Sequence, residues 1–472
     1  MRRIMTVLAL SLAVWGWPVT GGHADTLAPK QPATANGSLR ADFNNDGFAD
    51  LAVGVPFEDT DSGVVDAGAV NVQYGSATGL TTSPGQIFTQ AAGLAEAGDL
   101  FGFALTTGDF NNDGIPDLAA GAPGEDVGSV PDAGAFSVLY GSPSGLTTSN
   151  AHLFTQVGSA AEPNDLFGFS LAAGDFNNDG ADDVAVGAPL ESKFSTLFVG
   201  AVSVLYGSGS GGLSTVGGQL FTQVAGAVEP DDSFGYALAA GDFNSDGVDD
   251  LAAGAPFESV GSAFAAGAVS ILYGMGGGLS TAGGQFFTQV AGLAEPADIF
   301  GFALATGDFN NDGFDDLAAG APLEDVGSVF DAGAFSVLNG SASGAGGGPT
   351  PGHLFTQLGS APENNDLFGY ALTTGNFNND GFDDVAAGAP NEGVFSIPGA
   401  GAVSVLNGPL SSPVRGQIIT QDSPGVGSSV ETDDAFGYAL AAAIPAPASA
   451  TPSSVTRVLT PFKAMKLGHA RG

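Results

Sequence analysis

Asp42 to Pro56 reads DFNNDGFADLAVGVP, and the same phrase returns five more times along the chain. It is DFNNDGIPDLAAGAP from Asp109, DFNNDGADDVAVGAP from Asp175 and DFNSDGVDDLAAGAP from Asp242. It is DFNNDGFDDLAAGAP from Asp308 and NFNNDGFDDVAAGAP from Asn376. The starts lie 67, 66, 67, 66 and 68 residues apart, so one structural unit is repeated and the fold must be an array or a ring.

Other landmarks keep this phase. An FG-x-AL element or a close variant precedes the acidic phrase (Phe101-Gly102, Phe167-Gly168, Phe234-Gly235, Phe300-Gly301, Phe368-Gly369), and a sixth, Phe436-Gly437, keeps the same phase. A GAVSVLYG-like run follows it, as at Gly200 to Gly207, and then an LFTQ-like element, as at Leu220 to Gln223. Short β-favouring runs bounded by Gly, Pro, Asn and Asp are the signature of strands. One unit is therefore four strands, A to D, with the acidic loop between A and B. Such a sheet cannot bury both faces alone, and a closed ring buries them between neighbours.

The ends specify the closure. The first acidic phrase has no FG element before it, and the last FG element, Phe436 to Leu440, has no acidic phrase after it. The expected fold is an all-β propeller of six four-stranded blades, with Phe436 to Ala441 supplying the inner strand of the first. Seven blades and an open solenoid are the alternatives. Residues 1–24 read as a signal peptide, with Arg2 and Arg3, an apolar stretch from Ile4 to Trp17 and small residues before Asp25. Residues 25–38 are a leader, 39–441 the propeller, and 442–472 an Ala/Pro/Ser linker with a basic tail. The protein is expected to be secreted, and no later segment is apolar enough to span a bilayer.

The acidic phrase has the chemistry of a calcium loop. Ca²⁺ takes six to eight oxygen ligands at about 2.3–2.6 Å. Positions 1, 3, 5 and 9 place Asp42, Asn44, Asp46 and Asp50 on the inside of a curling chain. Gly47 permits the turn, and the carbonyl of Phe48 adds an oxygen. The same roles fall to Asp109, Asn111, Asp113, Ile115 and Asp117, and to Asp175, Asn177, Asp179, Ala181 and Asp183. They recur at Asp242, Asn244, Asp246, Val248 and Asp250, and at Asp308, Asn310, Asp312, Phe314 and Asp316. The sixth set, Asn376, Asn378, Asp380, Phe382 and Asp384, has a neutral first ligand and is expected to bind more weakly. Up to six calcium ions are expected, and they would bring the formal charge from −40 to −28.

These landmarks together resemble the FG-GAP repeat family, which includes the propeller of integrin α subunits and many bacterial exported proteins. The resemblance spans residues 39–441 and implies calcium in the A–B loops. The sequence departs from integrins in having six loops where their propellers have seven blades, in more calcium-competent loops, and in having no other integrin domain after the ring.

Ten Lys+Arg stand against 50 Asp+Glu, which sets nucleic acid and anionic membranes aside as partners. A hydrophobic fraction of 43% with 34 Phe is enough for a packed core, so the acidity is not that of a disordered tail. Cysteine is absent, and metal is the substitute for disulfides. No catalytic constellation is visible. His152 and His353 take a strand position held elsewhere by Gln86, Gln219, Gln285 and Gln417, which suits a surface residue better than a base. A second acidic set, including Glu96, Asp99, Glu125, Asp165, Glu191, Asp231 and Glu258, falls on the B–C and D–A connections, opposite the loops. It reads as a solvated rim. The leading expectation is a non-enzymatic, monomeric binding or scaffold module for an extracellular protein or glycan. The alternative is a lectin or a polysaccharide-cleaving enzyme.

Overall fold

The computed structural model describes residues 41–440, apart from 61–62, 81–84, 91–94, 194–195, 210, 225–228, 290–293, 347–352, 359–360, 411–414, 425 and 427–428. The signal-peptide, leader and tail assignments lie outside the described residues. No helix occurs among those described, and none is long and apolar enough to cross a membrane.

The chain folds as a six-bladed β-propeller. Blade one holds β1 (Leu51–Val55), β2 (Ala69–Gln73) and β3 (Gln86–Phe88). Blade two holds β4 (Leu105–Gly108), β5 (Asp117–Ala122), β6 (Ala135–Tyr140) and β7 (Thr147–Phe154). Blade three is β8 (Ser170–Gly174), β9 (Asp183–Ala188), β10 (Ala201–Tyr206) and β11 (Ser214–Phe221). Blade four is β12 (Leu238–Gly241), β13 (Asp250–Ala255), β14 (Ala268–Tyr273) and β15 (Ser280–Phe287). Blade five is β16 (Leu304–Gly307), β17 (Asp316–Ala321), β18 (Ala334–Leu338) and β19 (His353–Phe355). Blade six is β20 (Leu372–Gly375), β21 (Asp384–Ala389), β22 (Ala402–Asn407) and β23 (Arg415–Ile419). Within each sheet the strands pair antiparallel in sequence order. The A–B and C–D turns therefore leave one face of the disc, and the B–C and D–A connections leave the other.

The motif glycines have a packing cause. A Cβ on Gly121, which opens the GAP motif at the end of β5, would stand 2.0 Å from the carbonyl oxygen of Gly168, in the FG element of blade three. The same contact joins Gly254 to Gly301 and Gly388 to Gly437. Neighbouring blades thus touch backbone to backbone, which only glycine allows. The FG element itself turns where the sequence suggested strand: Gly102 has φ +86°, and β4 starts three residues later, at Leu105. Before that turn Phe101 donates its N–H to Ala67 O of the preceding blade at 3.0 Å. The element is a stitch between blades before it becomes a strand.

Side-chain packing follows the same logic. β5, β9, β13, β17 and β21 are buried along their whole length, which explains their small, apolar DLAAGA-type sequences. Phe103, Phe169, Tyr236, Phe302, Tyr370 and Tyr438 follow the six FG pairs and form a chain of aromatic contacts around the axis. Successive centroids are 5.0 Å apart, and 4.9 Å at the last step. Tyr438, from the C-terminal FG element, takes the last place and hydrogen-bonds Tyr370 hydroxyl to hydroxyl at 2.9 Å.

Blade one is three-stranded among the described residues: of the stretch expected to complete it, Phe436 to Leu440 form no strand, Phe436 bridging only to Gly401 of blade six, and Ala441 lies outside the described residues. Its β1 is correspondingly less covered. Leu51, Val53 and Val55 are half-buried, whereas their counterparts Leu118, Ala120 and Ala122 are fully buried beneath blade one.

Candidate metal centres and the opposite face

Each acidic loop is held by its own side-chain oxygens. In blade three, Asp175 accepts the N–H of Asp179 (3.1 Å) and of Gly180 (3.0 Å). Asn177 Oδ1 accepts a second bond from the N–H of Asp179 at 2.8 Å, and Asp179 accepts that of Ala181 at 3.0 Å. Positions 1, 3 and 5 are thereby turned inward, as the sequence required. Asn45, Asn112, Asn178, Ser245, Asn311 and Asn379, at position 4, adopt the left-handed backbone that the curl needs. Position 2 is the anchor: Phe43, Phe110, Phe176, Phe243 and Phe309 are almost completely buried. Each such phenyl contributes about 1.5–3 kcal/mol.

The sixth loop differs as its first residue demands. Asn376 accepts the N–H of Asp380 at 3.0 Å, as its counterparts do. It makes no bond to the N–H of Gly381, although every other first residue accepts from its loop glycine. The amide nitrogen that replaces the second carboxylate oxygen cannot accept.

Position 9 does more than the sequence suggested. Asp183 is buried, and both its oxygens accept backbone N–H groups, from Phe176 (2.9 Å) and from Gly207 at the end of β10 (2.8 Å). The pattern recurs at Asp50, Asp117, Asp250, Asp316 and Asp384. Burial pushes the Asp183 and Asp250 carboxyls up to about 8, those of Asp117 and Asp316 to about 7 and that of Asp50 to about 6. The neighbouring loop carboxylates push in the same direction, and the two N–H bonds oppose it. A divalent cation would oppose it further.

The donor set fits calcium in kind: hard oxygens from three carboxylates and one amide in the first five loops, two of each in the sixth, and one main-chain carbonyl per loop. Among the described residues no three His, Asp or Glu side chains form a ready-made metal cluster, and a metal in these loops would need their Asn and carbonyl oxygens as well.

A further residue, at position 8, escaped the sequence reading. Asp182 Oδ2 accepts the N–H of Asp109, the first residue of the preceding loop, at 2.7 Å. Asp249, Asp315 and Asp383 do the same for Asp175, Asp242 and Asp308. The loops are therefore tied into a chain around the inner strands. The doubled Asp-Asp of the later repeats was the available signal.

The opposite face divides the second acidic set in two. Glu96, Glu162, Glu229, Glu295 and Glu363 are exposed, as a solvated rim requires. Asp99, Asp165, Asp298, Asp366 and Glu125, Glu191, Glu258, Glu324, Glu392 are instead buried. In the fourth crossover the buried residue is Asp232, where the sequence reading had placed Asp231; Asp231 is exposed. Above the rim stands an apolar crown that the sequence reading missed. The residue three before the glycine that opens strand C is Val65, Pro131, Leu197, Phe264, Phe330 or Pro398, and all six are exposed. His152 is exposed beside Phe154, with centroids 5.9 Å apart. The side chain of His353 lies outside the described residues.

These features define a class: a six-bladed propeller with stitched glycine contacts, acidic loops on one face and an apolar crown on the other. The chain belongs to the FG-GAP repeat family, whose model matches residues 37–72, 101–139, 167–205, 234–272, 300–338 and 368–406. It is 30% identical to integrin alpha-5 of Xenopus laevis over 242 residues, which is 50% of this chain and 21% of that protein. It is 33% identical to integrin alpha pat-2 of Caenorhabditis briggsae over 243 residues, 47% of this chain and 18% of that one. It is also 35% identical to the phosphatidylinositol-glycan-specific phospholipase D of Bos taurus over 162 residues, 33% of this chain and 18% of that one. The matched part is thus about a fifth of these relatives' own length. Among solved structures, a Bacillus licheniformis rhamnogalacturonan lyase aligns over 80% of this chain and 68% of its own, at 10% identity and a TM-score of 0.35. That likeness is too remote to bear on activity.

Proposed function

We propose that this protein is a secreted, calcium-stabilised binding module that engages an extracellular protein through the face opposite its acidic loops. The observation that carries the reading is the crown. Phe330 is 62% exposed, Leu197 57%, Val65 54% and Phe264 43%, all at one register position of their blades, three of which are consecutive. Repeated large apolar side chains held in water at the rim of a rigid disc suit a partner surface better than a solvated edge. The glutamates beside them favour a partner with basic groups around an apolar centre. Calcium in the A–B loops would stiffen the ring without touching the partner. The integrin relatives support a protein partner over a glycan.

The test is a binding screen of the whole protein against extracellular proteins and a glycan array, with calcium and with chelator. Phe264→Ser and Phe330→Ser should abolish capture while leaving the melting temperature unchanged. Capture that survives both substitutions, or glycan binding insensitive to them, would overturn the reading.

A further inference from the structure

Asp298 lies in the crossover from blade four to blade five, and Glu324 in the turn after β17. They are 2% and 4% exposed, and each side chain is within hydrogen-bonding reach of the other. Gln289, just past β15 of blade four, donates Nε2 to Glu324 Oε2 at 2.7 Å. Asp298 Oδ2 accepts the N–H of Glu295 at 2.7 Å. Three elements from two blades therefore meet on this pair.

The arrangement recurs at the four other junctions between consecutive blades, and not between blades six and one, where the counterpart Glu58 is exposed. Asp99 meets Glu125 beside Gln90, and Asp165 meets Glu191 beside Gln156. Asp232 meets Glu258 beside Gln223, and Asp366 meets Glu392. The charged groups facing these pairs are all negative: Glu295 and Asp325 at the Asp298 pair, Glu96 and Asp126 at Asp99. They are Glu162 at Asp165, Glu229 at Asp232 and Glu363 at Asp366. The only Lys or Arg side chains in the described repeats are Lys193, which reaches Thr222, and Arg415 in β23.

Two ionised carboxylates in contact, desolvated and without a counter-cation, repel strongly, whereas one proton between them turns the repulsion into a hydrogen bond. We propose that each of these five Asp–Glu pairs holds one shared proton, so that the propeller is clasped between blades in acid and loosens as the medium becomes alkaline. Burial, the largest cause, raises Asp165, Asp232 and Asp298 to about 8 and Asp99 and Asp366 to about 7; Glu125, Glu191, Glu258 and Glu324 are raised as well. The sign follows. A carboxyl whose folded pKa is raised binds its proton more tightly in the folded state, so its stabilisation is full below the unfolded value near 4. It is lost as pH climbs through about 7 to 8. This is the reverse of a salt-bridged carboxylate. The pairs lie opposite the acidic loops, so saturating calcium leaves their titration visible.

The experiment uses the whole protein in saturating calcium. Infrared spectra at neutral pH should contain a protonated-carboxyl C=O band, weaker in Asp298→Asn. The asparagine mimics the protonated acid, keeping an acceptor for Glu295 and a donor for Glu324. Asp298→Asn should melt like the parent near pH 5 but higher near pH 9, cutting the alkaline loss of melting temperature by about one part in five. Asp298→Ala should lower melting at both. The proposal is overturned if the parent lacks the band, or if Asp298→Asn melts lower by the same amount at both pH values. It also fails if the protein binds more than six calcium ions and Asp298→Asn removes one, because a cation would then occupy the pair.

Discussion

Gly207 donates its backbone N–H to Asp183 across 24 residues of chain, at 2.8 Å, while Phe176 donates to the other oxygen of the same carboxylate at 2.9 Å. One side chain thus joins the start of the acidic loop to the far end of strand C. Removing it leaves two buried N–H groups without acceptors, at about 1–3 kcal/mol each. Asp183→Ala should cost about 2–6 kcal/mol in chelator as well as in calcium, measured by denaturant unfolding. A loss confined to calcium-containing buffer would mean that the carboxylate serves metal alone.

Calorimetry of chelated protein should reveal up to six calcium sites and a melting temperature that rises with free calcium. Stabilisation per site should reach about 2.7 kcal/mol at a hundredfold excess over its Kd. Asp179→Ala, at an exposed position, should delete one site and leave distant loops unchanged. No heat of binding at millimolar calcium would remove the metal from the loops.

Asn376→Asp should let the sixth loop accept from Gly381 as its sisters accept from their glycines, and add one negative ligand. Its calcium affinity should rise roughly tenfold, equivalent to about 1.4 kcal/mol. An isotherm that overlays the parent's would show that position 1 supplies no ligand there.

Gly254→Ala should be severe despite the small change. The new Cβ would stand 2.1 Å from Gly301 O, and both partners are backbone, so blades four and five must separate. A loss of about 3 kcal/mol is expected at any calcium concentration. Melting within a degree of the parent would mean that the interface is loose.

Truncation after Gly427 removes the C-terminal FG element, and truncation after Pro447 keeps it; both retain all six loops. The shorter protein should aggregate or oligomerise through uncovered sheet edges, while the longer one stays monomeric. Equal behaviour on a sizing column would favour an open array or a ring completed otherwise.

The acidic loops and the blade count were legible because each depends on residues within a few positions of one another, repeated in register. The start of the inner strand was not: FG looks like strand, and only the contact between Gly121 and Gly168 makes it a turn. The Asp298–Glu324 pair joins residues from a crossover and a turn that meet only after two blades pack, so in one dimension both looked like solvated rim. The crown escaped because its residues share exposure and register but not identity, running through Val, Pro, Leu and Phe.

Tyr438 has a consequence in time. The aromatic contacts at the axis run in chain order from Phe103, and the last place is filled by a residue 335 positions after the first. Blades can stack one upon another as the polypeptide is threaded out, each stitched to the one before. The last seat stays vacant until Tyr438 arrives. Until then the nascent molecule has two sticky ends, one on blade one and one on the latest blade. A cell that makes this protein must shield both through nearly the whole of its synthesis.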